Sequence, residues 1–302
     1  MNALEARIAE RLAAPVDRQV AEFGEALARE AGAIAVLFYG SNLRTGSLEG
    51  VLDFYLLLPG KQKERIWPLV SYHERESEAG ITLRAKVATM SLARFQEAAS
   101  GDRLDTTIWA RFVQPCGLVW AQSEAAKAQT LAAVSAAAQT AARLAAVLGP
   151  QAGRAEDFWR ALFRATYTAE FRVEKAGREN DILSVNAQHF DGLLPLAWEA
   201  SGIAYSGDGD TLSPRLDEKE RRKVLSWWKR RRRMGKPLNI TRLFKASTTF
   251  EGAGRYAAWK IERHTGVPVA VTPFREKHPV LAAPGVLFKV WRDKRKREDQ
   301  AT

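Results

Sequence analysis

Residues 33–58 read AIAVLFYGSNLRTGSLEGVLDFYLLL. Ala33 to Tyr39 is a short apolar run that stops at Gly40-Ser41, and it predicts a buried strand. Asn42 to Gly50 is mostly polar, with Gly46 and Gly50, and predicts a turn or loop. Val51 to Leu58 predicts a second strand. That strand carries one acid, Asp53, among apolar neighbours. A carboxylate there is costly to bury unless something partners it. Backbone N–H groups at a strand end are one possible partner, and a metal ion is the other.

The layout suits phosphate chemistry. Gly40 lets the backbone turn tightly and approach a phosphate closely. Ser41 offers a hydroxyl and an N–H to the β- and γ-phosphates, and a helix beginning nearby would add its N-terminal dipole. Eleven residues separate Ser41 from Asp53, so the acid on the neighbouring strand can face the same corner and hold Mg²⁺. Gly-Ser alone is an ordinary turn; the acid at a fitting distance makes it a candidate phosphate-and-metal signature.

Outward from this segment, residues 1–31 read as two helices. Ile81 to Ser91 predicts a third strand, Ser91 caps a helix running to Ser100, and Cys116 to Ala121 predicts a fourth strand. From Ser123 onward helices are expected at 123–148, 155–177, 180–201, 215–234 and 250–265, with a Gly/Asp/Ser-rich loop at 202–214. The expected class is α+β: a small mixed-sheet domain at 1–122, then a mostly helical domain at 123–302. At 302 residues and 46% hydrophobic content the chain has material for one large core or two ordinary ones.

The single cysteine, Cys116, rules out a disulfide within the chain and points to a reducing, cytoplasmic setting. No Cys/His spacing suggests zinc. The start of the chain reads as a helix rather than a signal peptide. Ala125 to Leu148 is weakly apolar, but Gln129, Thr130, Gln139, Thr140 and Arg143 interrupt it, so an amphipathic helix of a soluble protein is expected.

The formal charge of +11 implies a polyanionic partner: nucleic acid, a nucleotide or an anionic membrane surface. Arg215 to Lys236 holds eleven Lys/Arg against three Asp/Glu. Within it, Trp227 and Trp228 precede Arg230, Arg231, Arg232 and Arg233, a pattern that suits an interfacial helix on anionic lipid. Nucleic-acid binding through the same arginines is the disfavoured rival. A solvated helix with both tryptophans in the core is the third possibility.

The Gly40-Ser41 and Asp53 arrangement resembles the polymerase-β-like nucleotidyltransferase superfamily. Most members carry a second acid two positions after the first, where this chain has Tyr55, and a third on a later strand, where it has Arg84 and Lys86. Glu74 is the candidate for a missing metal ligand.

These features narrow the resemblance to the mitochondrial-type phosphatidate cytidylyltransferases, the translocator-maintenance family. Tyr39-Gly40-Ser41 and Asp53-Phe54-Tyr55-Leu56 are similar to its opening pattern, and Arg84 to Ser91 to its next strand. Trp109, Arg111 and Pro115 are comparable further on. Tyr167 to Arg172 and Lys245 to Lys260 are similar to segments of its helical half. Residues 266–302 have no counterpart.

The resemblance implies a nucleotidyltransferase domain at 1–122, with CTP and phosphatidate as substrates, Mg²⁺ as cofactor and CDP-diacylglycerol as product. It implies Asp53 and Lys86 as catalytic residues, Tyr39, Gly40, Ser41, Arg84 and Arg172 around the nucleotide, and Asp53 with Glu74 on the metal. The chain would be cytoplasmic and peripherally bound to membrane. A site poor in acids fits this chemistry, because a phosphate monoester loses its second proton at about pH 6–7 and needs no general base. Another nucleotidyltransferase, acting on a small molecule or RNA, and an inactive basic binding relative remain as alternatives.

Overall fold

The computed structural model describes residues 1–77, 80–170 and 178–277 and, further on, positions 282, 284–286, 288 and 292. Helices α1 (Ala3–Leu12) and α2 (Arg18–Ala31) come first. A capping box between Asn2 and Glu5 starts α1, and Gly32 in the left-handed region (φ 63°) ends α2. Strand β1 (Ala35–Tyr39), the short helix α3 (Ser41–Thr45), β2 (Leu52–Leu58), β3 (Leu69–Glu76) and β4 (Thr82–Ser91) follow. Then come α4 (Leu92–Ala99), α5 (Thr107–Phe112) and β5 (Cys116–Ala121).

These strands form one mixed five-stranded sheet in the order β3-β4-β2-β1-β5. Only β2 and β4 run parallel; the other neighbours are antiparallel. Alternation along the strands sorts side chains to two faces. Val36, Phe38, Phe54, Leu56 and Val87 pack with Val20, Phe23 and Leu27 of α2. Leu37, Tyr55, Leu57, Ala88 and Met90 face a second core that includes Phe95 of α4 and Phe112 of α5 and extends into the second half of the chain. Asp53 and Lys86 stand two residues before Tyr55 and Ala88, so they share that second face.

Four of the five strands agree with the sequence reading, and Ser91 caps α4 by accepting from the Arg94 N–H at 3.2 Å. The fifth, β3, was not expected from the sequence. It is an edge strand in which only Tyr72 is buried, so it lacks the alternation that marks a half-buried strand. Likewise Asn42 falls in helix α3 rather than in a plain loop.

The second half begins with α6 (Glu124–Leu148), the two-residue β6 (Gly153–Arg154) and α7 (Ala155–Ala169). Helices α8 (Arg178–Val185), α9 (Ala187–Phe190) and α10 (Leu193–Ala200) occupy the span expected as one helix. The expected loop at 202–214 is a hairpin of β7 (Ala204–Asp208) and β8 (Thr211–Arg215). Next come α11 (Glu218–Thr249), α12 (Ala253–Thr265) and α13 (Pro273–Lys277).

Helix α11 runs well past the expected end at residue 234, through Gly235 and Pro237. Gly235 sits where any Cβ would be 2.3 Å from the Ala169 carbonyl oxygen, so its missing side chain lets α11 cross the end of α7.

Helix α6 is long and apolar enough to cross a membrane, and the fold buries most of it. Thr140 donates to the Ala99 carbonyl at 2.8 Å, and the Trp198 indole donates to the Ala142 carbonyl at 2.9 Å. Residues before and after position 122 contribute to one continuous core, from Leu37 and Trp109 to Trp159 and Trp198.

Candidate active site

The site is built where β1 ends. Gly40 has φ 93°, a region closed to most side chains. A Cβ on Gly40 would lie 2.8 Å from the Asp53 carboxylate oxygen Oδ2, so glycine makes room for that carboxylate. Tyr39 pairs with Asp53 across β1 and β2, and Asp53 with Lys86 across β2 and β4. Helix α3 starts at Ser41. The buried Asn42 amide ties the following loop down, donating to the Ser47 carbonyl at 2.8 Å and the Glu49 carbonyl at 2.7 Å.

Arg111 of α5 completes the group. It donates to the Tyr39 hydroxyl at 2.9 Å, and its guanidinium carbon lies 5.0 Å from the Tyr39 ring centre. Tyr39 beside it raises the Arg111 pKa further above its ordinary value, against the lowering effect of burial. Burial pushes the Asp53 carboxyl up, and Lys86 and then Arg111 pull it back. Burial lowers Lys86, and Asp53 opposes that shift. Among the described residues the Asp53 carboxylate accepts no hydrogen bond and makes no ion pair.

Asp53 opens into a cavity of about 380 Å³. Ser41, Arg44, Lys86 and Arg111 line it, with Tyr167 and Asp181 contributed by α7 and α8. Tyr39, Gly40 and Pro115 are also at its wall. Three cations therefore surround a partly buried carboxylate in a space large enough for phosphate groups.

Glu74 and Arg84 are elsewhere. Glu74 accepts from the Tyr72 hydroxyl at 2.8 Å and pairs with the Arg84 guanidinium at 3.3 Å. Arg84 lies 5.5 Å from the Trp259 ring centre. Neither lines the cavity around Asp53. The metal role expected for Glu74 is corrected accordingly, because its carboxylate is used by its own strand neighbours. Arg172 lies outside the described residues.

The basic stretch also needs correction. Trp228 and Arg231 are buried, each 4% exposed, and Trp227 donates to the Gly101 carbonyl at 3.0 Å. Arg231 donates to the carbonyls of Gly101, Arg103 and Trp227 and stacks 3.7 Å from the Trp227 ring centre. Residues 224, 227, 228 and 231 form the inward stripe of α11 at helical spacing. Trp227, Trp228 and Arg231 are thus taken up by packing, while Arg230, Arg232 and Arg233 remain exposed.

Arg44, Arg111, Tyr167 and Asp181 were not among the expected site residues. Arg111 and Tyr167 could have been found, since they stand in segments that carry the family resemblance. Asp181 has no such signal.

Among the described residues no group of three or more His, Cys, Asp and Glu converges. The donor set still fits a hard cation. Mg²⁺ commonly takes one or two carboxylates and completes its shell with water and substrate phosphates. Asp53, without a hydrogen-bond or ion-pair partner among the described residues, supplies the first, and Asp181 lines the same cavity. Compared with known proteins, the chain matches no protein-family model and no curated protein.

Proposed function

We propose that this chain is a metal-assisted nucleotidyltransferase of the polymerase-β-like type that transfers cytidylyl from CTP to phosphatidate. The observation that carries the proposal is the Asp53 carboxylate, unpartnered among the described residues, in one cavity with Lys86 and Arg111 where Gly40 leaves room for it. A second observation supports it. Tyr39, Gly40, Ser41, Asp53, Lys86, Arg111, Pro115 and Tyr167 come from separate segments that resemble the cytidylyltransferase family, and all line one cavity. The choice of CTP and phosphatidate rests on that resemblance.

In this reading, bound Mg²⁺ would supply charge neutralisation on the nucleotide phosphates, held by Asp53. Ser41, Arg44 and Arg111 bind the triphosphate oxygens, and Tyr39 holds Arg111 in place. An oxygen of the acceptor phosphate forms the new bond to the α-phosphorus. The bond from that phosphorus to the α–β bridging oxygen breaks, and pyrophosphate leaves with the electron pair. A phosphate dianion has no proton to lose, so no general base is needed. Glu74, tied to Tyr72 and Arg84, fits a site without one.

Membrane recruitment in this reading falls to the exposed Arg230, Arg232 and Arg233 rather than to the tryptophans. The setting would be the cytoplasmic face of a membrane, with nucleic acid the disfavoured substrate. The test is incubation with each of the NTPs and Mg²⁺, with and without phosphatidate vesicles, measuring pyrophosphate. Release that needs both CTP and phosphatidate is expected. Transfer to an RNA end or to diacylglycerol, with none to phosphatidate, would overturn the substrate assignment.

A further inference from the structure

Past Lys86 the sheet continues to its edge strand, which α12 covers. On α12, Tyr256, Trp259, Lys260 and Arg263 stand at i, i+3, i+4 and i+7, which is one face of a helix. The aromatics dock this face. The Tyr256 ring is 5.4 Å from Tyr72, and the Trp259 ring centre is 5.5 Å from the Arg84 guanidinium. The cations ride on the aromatics: Lys260 Nζ is 5.8 Å from the Tyr256 ring centre and the Arg263 guanidinium 5.3 Å from that of Trp259.

Asp53, Lys86 and Tyr72 are successive register partners across β2, β4 and β3, so one row of the sheet leads from the cavity to α12. Arg263 also reaches toward the loop behind Ser41, with Nη1 3.1 Å from where a Cβ on Gly50 would be. Lys260 is near enough to Lys86 to oppose its charging. Glu74 neutralises Arg84, but among the described residues neither Lys260 nor Arg263 makes an ion pair. Cations gathered without a counter-ion are arranged to take an anion.

We propose that Lys86, Lys260 and Arg263 form the acceptor-phosphate site, on the α12 side of Asp53. Ser41, Arg44 and Arg111 hold the nucleotide on the other side. The inference rests on the nucleotidyltransferase reading above and adds to it a place for the second substrate. It commits the acceptor to a phosphate monoester, because a cluster of cations without a base suits an anionic nucleophile and not a neutral hydroxyl.

The test separates the two halves of the site. CTP affinity is measured with Mg²⁺ in the absence of acceptor, and steady-state KM is measured with a short-chain, water-soluble phosphatidate. Lys260 and Arg263 are exposed, so replacing them leaves the core untouched. The double variant K260Q/R263Q should raise the acceptor KM by about tenfold or more, the scale of a lost charge-assisted contact, with CTP affinity unchanged. The charge-conserving K260R/R263K should recover most of the loss, and Arg29→Gln on α2 should change neither quantity. An unchanged acceptor KM in K260Q/R263Q, or a parallel fall in CTP affinity, overturns the acceptor site alone. A wild-type chain that binds none of the NTPs overturns the nucleotidyltransferase reading and this site with it.

Discussion

Asp53 and Asp105 are carboxylates set against the same core, and they differ in where their partners are. Asp105, 4% exposed, receives the Arg242 guanidinium and the Thr107 hydroxyl at 2.7 Å, while Arg242 lies 4.7 Å from the Trp67 ring centre. Its charge is completed inside the protein, and the result is a joint between α11 and the start of α5. Glu170, accepting from Thr106, and Glu179, paired with Arg164 at 3.1 Å, are joints of the same kind. Asp53 has cations nearby but no hydrogen bond or ion pair among the described residues. A completed carboxylate holds structure together; one left incomplete at a cavity is where a ligand must supply the rest.

The strongest way to break this comparison is to neutralise both acids. Asp53→Asn should cut turnover by more than about a hundredfold, the scale of a removed electrostatic stabiliser. It should leave folding stability unchanged or slightly higher, because burial already disfavours the ionised form of Asp53 in the folded state. Asp105→Ala should instead cost about 3–5 kcal/mol of stability, since it strands the Arg242 charge. Denaturant titration and pyrophosphate release measure the two effects. An Asp53→Asn enzyme that keeps more than about a tenth of the rate, or that unfolds as readily as Asp105→Ala, breaks the distinction.

The same contrast divides α11. Trp228→Ala should destabilise by about 3–5 kcal/mol, the range for emptying a buried tryptophan site. Replacing Arg230, Arg232 and Arg233 with Gln should leave stability within about 0.5 kcal/mol each. The triple variant should weaken binding to anionic vesicles by about 1 kcal/mol per residue. Vesicle binding that depends on Trp228 and not on these arginines would reverse the assignment.

His189 sharpens the closed side of the comparison. Its ring N–H donates to the Val113 carbonyl at 2.8 Å, and burial lowers its pKa to about 4. The folded value lies below the unfolded one of about 6.5, so protonation favours the unfolded chain. The stability contribution is complete above about pH 6.5 and is lost progressively as the pH falls toward 4, by up to about 3 kcal/mol. His189→Gln should flatten the stability profile across that window. An unchanged profile would mean that His189 is not held neutral by the fold.

Ser41→Ala should have the smallest effect, a fall of a few fold in turnover, because a backbone N–H at that position still faces the phosphates. A loss as large as that of Asp53→Asn would give the hydroxyl a role that the cavity geometry does not assign to it.

Much of the open site was legible locally. Gly40 and Asp53 stand out because a glycine at a strand end and an acid in an apolar run conflict with local preference, and such conflicts mark function. Arg44 and Asp181 did not stand out. An arginine on a short helix and an aspartate on another look like any solvated charge until the fold brings them to the cavity. Edge strand β3 was missed for a related reason: its pairing with β4 is between distant residues, and its outer positions need not be apolar.

The sequence by itself determined the α+β class, the strand pair that frames Asp53, the Ser91 helix cap and the surplus of positive charge. Each depends on neighbours within a turn or a strand length, where periodicity and backbone preference act. Only the tertiary structure decided which charges are completed and which are left open. It closed Glu74 onto Arg84, drew Trp227, Trp228 and Arg231 inward and left Asp53 facing a cavity. Partnership between side chains far apart in sequence is set by packing, and composition carries no record of it.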